Sequence, residues 1–192
     1  MLSSKGGKST RRTVVLRIGH RPERDKRITS HVCLVARAFG AEGIYISGAK
    51  DQKICSTVKK VCEIWGGSFW VEFVSNPLKL IKNWKNNGGV VVHLTMYGLP
   101  LREIIKNICQ DGRDLLIIVG GEKVPKEYYL EADYNVAVGN QPHSEVSALA
   151  IFLDRINNGE WEHLTFSDAK LIIIPSERGK IVKEFKEEKK DF

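Results

Sequence analysis

The feature that most constrains this chain is a series of solid apolar runs, each separated by a stretch with helical periodicity. VVLRI, IYIS, VVVHL, LLIIV and NVAV are continuous rather than alternating, as strands buried on both faces must be. Between them, DQKICSTVKKVCEIW places Ile54, Val58, Val61 and Trp65 at i, i+4, i+7 and i+11, which is one stripe of an amphipathic helix. Strand and helix alternating in this way predict an α/β fold: a parallel sheet covered by helices on both faces.

Strands are expected at residues 13–19, 44–47, 69–74, 88–95, 111–120 and 134–139. Helices are expected at 28–39, 51–65, 77–87, 101–110 and 143–157, with HRPERDKR as a polar loop ahead of the first. LTFSDAKLIIIP breaks the pattern: two β-type runs flank Ser167, Asp168 and Ala169, which predicts an appended hairpin. The tail KIVKEFKEEKKDF mixes both charge signs and reads as a solvated end. Residues 1–160 are therefore expected to form the main domain and 161–192 a C-terminal extension.

Composition narrows the function classes. No apolar run approaches the roughly 20 residues of a membrane span. The start MLSSKGGKSTRR has no apolar core of the kind a secretory signal carries. Cys33, Cys55, Cys62 and Cys109 lack metal-ligand spacing and read as thiols of a reducing cytosol. The expectation is a cytoplasmic protein with neither membrane nor metal. The net charge of +7 suits a polyanion partner. Much of it is crowded into Lys5, Lys8, Arg11, Arg12, Arg17, Arg21, Arg24, Lys26 and Arg27.

Parallel sheets bind ligands beyond the carboxyl ends of their strands. Three such ends carry unusual loops, HLTMYGLP, VGGEKVP and VGNQPHSE, whose glycines allow close approach to backbone. RIGHRPER after the first strand is no dinucleotide fingerprint, and SSKGGKST has the wrong spacing for a phosphate loop.

RITSHVCLVARAFGAEGIYIS, LLIIVGGEKVP and NVAVGNQPHSEVSALAIFL, in this order and spacing, resemble the three motifs of the SPOUT superfamily of RNA methyltransferases, which use S-adenosylmethionine. With GHRPERDKR ahead of them, the pattern is most similar to the archaeal branch that methylates the ribose 2′-hydroxyl of tRNA cytidine 56, in the T loop. The resemblance implies a trefoil-knotted C-terminal half, a homodimer, tRNA as substrate and S-adenosylmethionine bound in the knot. It places the donor against Leu94, Thr95 and Gly98, against Gly120, Gly121, Glu122 and Lys123, and against Val138, Gly139, Asn140, Gln141, Pro142, His143 and Ser144. Gly139 and Pro142 would bend the last loop, and Asn140, Gln141 and Ser144 would supply hydrogen bonds. His143 would cap the following helix or touch the donor.

The catalytic residues do not transfer cleanly. Where relatives carry an arginine in the first motif, Leu34 stands here and Arg37 lies closer to Phe39. The candidates are Arg17, Arg24 and Arg27, which stay protonated and suit phosphate or a developing alkoxide, and His31, whose ordinary pKa suits proton transfer. Tyr97 and Trp161 either stack on bases or pack in the core. Methylation of another RNA nucleotide, or RNA binding without catalysis by a degenerate donor pocket, stays open on these residues.

Overall fold

The computed structural model describes residues 11–121 and 123–185; Lys5, Lys8, Glu122 and residues 186–192 lie outside the described residues. Six strands build one sheet: β1 (Thr13–His20), β2 (Gly43–Gly48), β3 (Trp70–Val74), β4 (Val90–Pro100), β5 (Leu115–Val119) and β6 (Tyr134–Ala137). Their spatial order is β3-β2-β1-β5-β4-β6, and every neighbouring pair is parallel. The apolar runs are buried on both faces, as their lack of alternation requires: Val14, Val15 and Leu16 of β1 and all five residues of β5 are fully enclosed.

The helices are α1 (Pro22–Ala38), α2 (Gln52–Trp65), α3 (Pro77–Asn86), α4 (Leu101–Asp111), α5 (Lys126–Glu131) and α6 (Glu145–Asn157). One face of the sheet packs against α1, α2, α4 and α6 through Val32, Ile54, Ile108, Leu149 and Phe152. The other packs against α3 and α5 through Ile81 and Tyr128. This is the two-faced α/β sheet that the sequence predicts.

Two elements differ from expectation. HRPERDKR is not a loop: α1 begins at Pro22, so Arg24, Lys26 and Arg27 are helical. Pro22 presets the first turn, and Asp25 accepts from the Arg21 backbone N–H at 3.2 Å and its Nε at 3.1 Å. The run of charges hid this start because no apolar periodicity marks it. The second difference is at the C-terminus. The antiparallel ladder forms between β7 (Leu171–Ile174) and β8 (Ile181–Glu184), not across residues 167–169. Part of the expected solvated tail is therefore the second strand. The 167–169 segment instead tucks under α2, where Asp168 accepts from Gly67 N–H at 2.9 Å and Ala169 is buried.

β4 has the irregularity that shapes the site. Leu94 and Leu99 both face Val136 of β6, so residues 95–98 bow out of the ladder and return. Gly98 is required there, since a Cβ would lie 2.5 Å from the Asn135 backbone.

The start of α1 carries a pH dependence. Burial works to raise the Asp25 carboxyl, but the hydrogen bonds and charge of Arg21, with the charge of Arg17, outweigh it and hold the group below its ordinary 3.8. Its contribution to stability is thus present in full above the unfolded value and is lost as pH falls through the lower native one. Urea midpoints measured from pH 6 down to about 3 should fall less steeply for Asp25→Asn than for the wild type.

Candidate active site

Two cavities open side by side at the carboxyl end of the sheet. The smaller, about 340 Å³, lies between the β4 bow, the loop after β5 and the loop joining β6 to α6. The larger, about 660 Å³, lies over the ends of β1, β2 and β3 and the start of α3. Arg17, Arg21, Arg24, Asp25 and Gly121 belong to both and form their common wall.

Arg17 is the anchor of that wall. It lies in the second half of β1, is 2% exposed, and its guanidinium lies 3.0 Å from Glu145 at the start of α6. It also donates to the Ile18 carbonyl, while its Nε has no partner among the described residues. Burial pushes its pKa down, and the nearby Glu145 and Asp25 charges pull it back up. Arg24 is exposed on the first turns of α1, with its Nε 3.9 Å from Asp25.

The smaller cavity gathers most of the residues expected to hold the donor. Leu94, Thr95, Gly120, Gly121, Val138, Gly139, Gln141, Pro142, His143 and Ser144 all line it. Asn140 and Gly98 do not, and Lys123 faces the larger cavity. Glu122 lies outside the described residues. Arg27 and His31 stand exposed on one face of α1, four residues apart, and line neither cavity.

Asn140, His143 and Ser144 of VGNQPHSE are spent on building the loop. Asn140 Nδ2 donates to the Met96 carbonyl at 2.7 Å, tying the loop to the β4 bow. His143 Nε2 lies 2.7 Å from the Val138 carbonyl, closing the bend that Gly139 makes at a φ of +76°. Ser144, not His143, caps α6 by accepting from Val146 N–H at 3.2 Å. With these groups engaged, the loop offers a ligand in this cavity its backbone N–H and C=O groups and the Gln141 side chain.

Sequence reasoning missed the back wall. His93 is fully buried within β4, its Nδ1 2.9 Å from Asn135 Oδ1 and its ring edge-on to Tyr129 at 4.6 Å. Asn135 Nδ2 donates to the Tyr129 carbonyl, which fixes its oxygen towards His93. Burial lowers the His93 pKa, against the raising effect of that hydrogen bond. A lone histidine inside VVVHL was the available signal. Trp161 resolves as packing: it stacks on Phe39 at 4.1 Å and donates to Asp154. Tyr97 is 76% exposed at the cavity mouth. Arg37 is structural, donating to the Trp65 and Gly66 carbonyls and lying over Phe166. No group of three His, Cys, Asp or Glu side chains suited to a metal occurs among the described residues, and no helix there is long and apolar enough to cross a membrane.

The parallel sheet with helices on both faces is similar in fold to the SpoU/TrmH methyltransferases. The A. aeolicus TrmH/SpoU tRNA modifying enzyme superposes with a TM-score of 0.59 at 18% identity, over 80% of this chain and 78% of that one. The SpoU methyltransferase AviRb from Streptomyces viridochromogenes, solved in complex with AdoMet, gives 0.53 at 18% identity, over 79% of this chain and 59% of that one.

The sequence places the chain more narrowly. A family model described as tRNA ribose 2′-O-methyltransferase, aTrm56, matches residues 65–183. The tRNA (cytidine(56)-2′-O)-methyltransferase of Sulfurisphaera tokodaii is 58% identical over 85% of this chain and 97% of its own. The enzyme of the same description from Thermofilum pendens is 57% identical over 90% of this chain and 96% of its own. The chain belongs to the aTrm56 family of tRNA ribose 2′-O-methyltransferases.

Two outcomes follow from the geometry. Removing the counter-charge in Glu145→Leu leaves Arg17 charged and enclosed, and should cost about 3 kcal/mol in urea denaturation. Gly139→Val meets no neighbour within 4 Å but forces a β-branched residue to positive φ, so the loop must rearrange. Calorimetry should show donor affinity weakened at least about tenfold, with the global unfolding midpoint nearly unchanged.

Proposed function

We propose that the protein transfers a methyl group from S-adenosylmethionine to the ribose 2′-hydroxyl of cytidine 56 in the tRNA T loop. The observation that carries this is the coincidence of ten residues from three strand-end loops around one cavity, walled by Arg17, Arg21 and Arg24. The fit to the donor is chemical: a backbone-presenting loop held by Asn140 and His143 offers edge hydrogen bonds to adenine, and Leu94, Val138 and Ala148 offer apolar surface. S-adenosylmethionine supplies an electrophilic methyl group on its sulfonium.

The protein's own part is alignment and charge. The ribose oxygen must approach in line with the carbon–sulfur bond, within about 3–3.5 Å of the methyl carbon. With the donor bound, the hydroxyl would give up its proton to water as its oxygen attacks, which would leave developing negative charge on that oxygen. Arg17, fixed by Glu145, and Arg24 stabilise the anionic oxygen that this creates. An arginine serves that role better than proton abstraction because it keeps its charge. Arg27, Lys26 and His31, on the exposed side of α1, hold the RNA backbone.

The same reading takes the C-terminal half as a trefoil knot, supported by the SpoU/TrmH likeness. It takes the working unit as a cytoplasmic homodimer, supported by the apolar surface that Tyr97, Leu99 and Ile151 leave open. Residues 1–160 carry the transferase, and 161–192 extend it.

The test is to incubate unmodified tRNA transcripts with methyl-labelled donor and map the labelled nucleotide by nuclease digestion. Label on the ribose of cytidine 56 is expected; label on a base, or none, would overturn the reading. Arg24→Ala should lower kcat with little change in tRNA affinity, whereas Lys26→Ala should weaken binding and reduce its salt slope by about one unit or less. If His31→Ala alone stopped turnover while Arg17 and Arg24 variants stayed active, His31 would take over the central role.

A further inference from the structure

The larger cavity is not needed to hold the donor, yet it is the space that meets the donor cavity across the arginine wall. In-line transfer requires the acceptor oxygen to lie within bonding reach of that wall. At about 660 Å³ the cavity falls within the usual range for a small-molecule site, about 300–1,000 Å³.

Its lining has two parts. Arg21, Arg24 and Lys123 give the rim positive charge, and the N-terminus of α3 opens beside Ser75 and Pro77. The floor is of a different kind. Ser47 is 6% exposed; its Oγ accepts from Gly19 N–H at 3.2 Å, which leaves its own proton to give. His20 is 1% exposed, with Nδ1 2.9 Å from Thr29 Oγ1. Its Nε2 has no hydrogen-bond partner among the described residues and lies 3.9 Å from Asp51. The tautomer that donates from Nδ1 to Thr29 leaves Nε2 an acceptor, and burial, outweighing Asp51, keeps the ring neutral. Ile18, Pro77 and Pro125 add flat apolar surface between floor and rim.

We infer that this cavity receives the target itself: a pyrimidine ribonucleotide unit turned out of its RNA stack, base towards Ser47 and His20, phosphates at Arg21 and Lys123. The inference rests on the methyl-transfer reading above. A donor and an acceptor side by side complement the amino N–H and ring N3 of cytosine, whereas uracil presents the reverse pair. Turning the nucleotide out costs a few kcal/mol of stacking, which the rim's phosphate contacts offset. Arg17 and Arg24, common to both cavities, then stand where ribose and methyl group meet.

Ser75 is exposed and lines only this cavity, so Ser75→Trp fills it without touching the donor loops. The measurements are donor affinity by calorimetry, steady-state transfer to tRNA transcripts bearing C or U at the target position, and inhibition by cytidine 5′-monophosphate. Expected for Ser75→Trp are wild-type donor affinity, kcat/KM for tRNA reduced at least about tenfold, and loss of the inhibition, which in the wild type competes with tRNA. Ser47→Ala should narrow the preference for C over U by about tenfold. Lys123→Glu, an exposed change with little bearing on folding, should raise KM for tRNA with kcat nearly kept. Wild-type kcat/KM in both Ser75→Trp and Lys123→Glu, or loss of donor binding in Ser75→Trp, would overturn the assignment. If the wild type labels cytidine 56 and these variants do so equally well, the cavity assignment alone falls. If the wild type labels no tRNA, the function falls first.

Discussion

The ion pair between Arg17 and Glu145 holds the site together. A guanidinium buried in the second half of the central strand is costly unless its charge is met, and the carboxylate that meets it stands at the first turn of the last long helix. One interaction therefore fixes the position of α6 against β1 and sets the floor between the two cavities. It also points the loop before α6 inward, because Ser144 and His143 are one and two residues away from Glu145. The carboxylate sits at a helix N-terminus, where negative charge is favoured in any case.

Around that pair the protein separates two recognition problems. The donor side is built from loops in which polar side chains are consumed in shaping backbone, Asn140 on Met96 and His143 on Val138. The opposite side presents charged side chains at its rim, Arg21, Arg24 and Lys123, the first two beside Asp25. Backbone suits a ligand that never varies, and cationic side chains suit a polyanion approached from solvent.

Much of the fold was legible in the chain because its signals are local. Unbroken apolar runs named the buried strands, and the Ile54–Val58 stripe named α2. The motif resemblance grouped residues of three distant loops; ten of them line one cavity, while Gly98 and Asn140 do not and Lys123 lines its neighbour. What failed has a physical reason in each case. The start of α1 is written in charges that satisfy one another, Arg21 with Asp25, and leaves no apolar period to read. The C-terminal ladder joins LIII to IVKE, a pairing that depends on where α2 draws residues 167–169 away. The Glu145 partner of Arg17, and the His93–Asn135–Tyr129 wall, are contacts between segments far apart in sequence, which no local pattern encodes.

The place of β1 in the sheet has a consequence for synthesis. One edge of β1 pairs with β2, and residues 43–46 are made soon after it; the other edge waits for residues 115–119. On the ribosome the amino-terminal three strands and two helices can therefore assemble while one side of the future centre is still an open edge, exposed to wrong pairing. Throughout that interval Arg17 lacks its ion-pair partner, because Glu145 has yet to be translated. The pair that sets α6 against β1 can thus form only once the last long helix has been made.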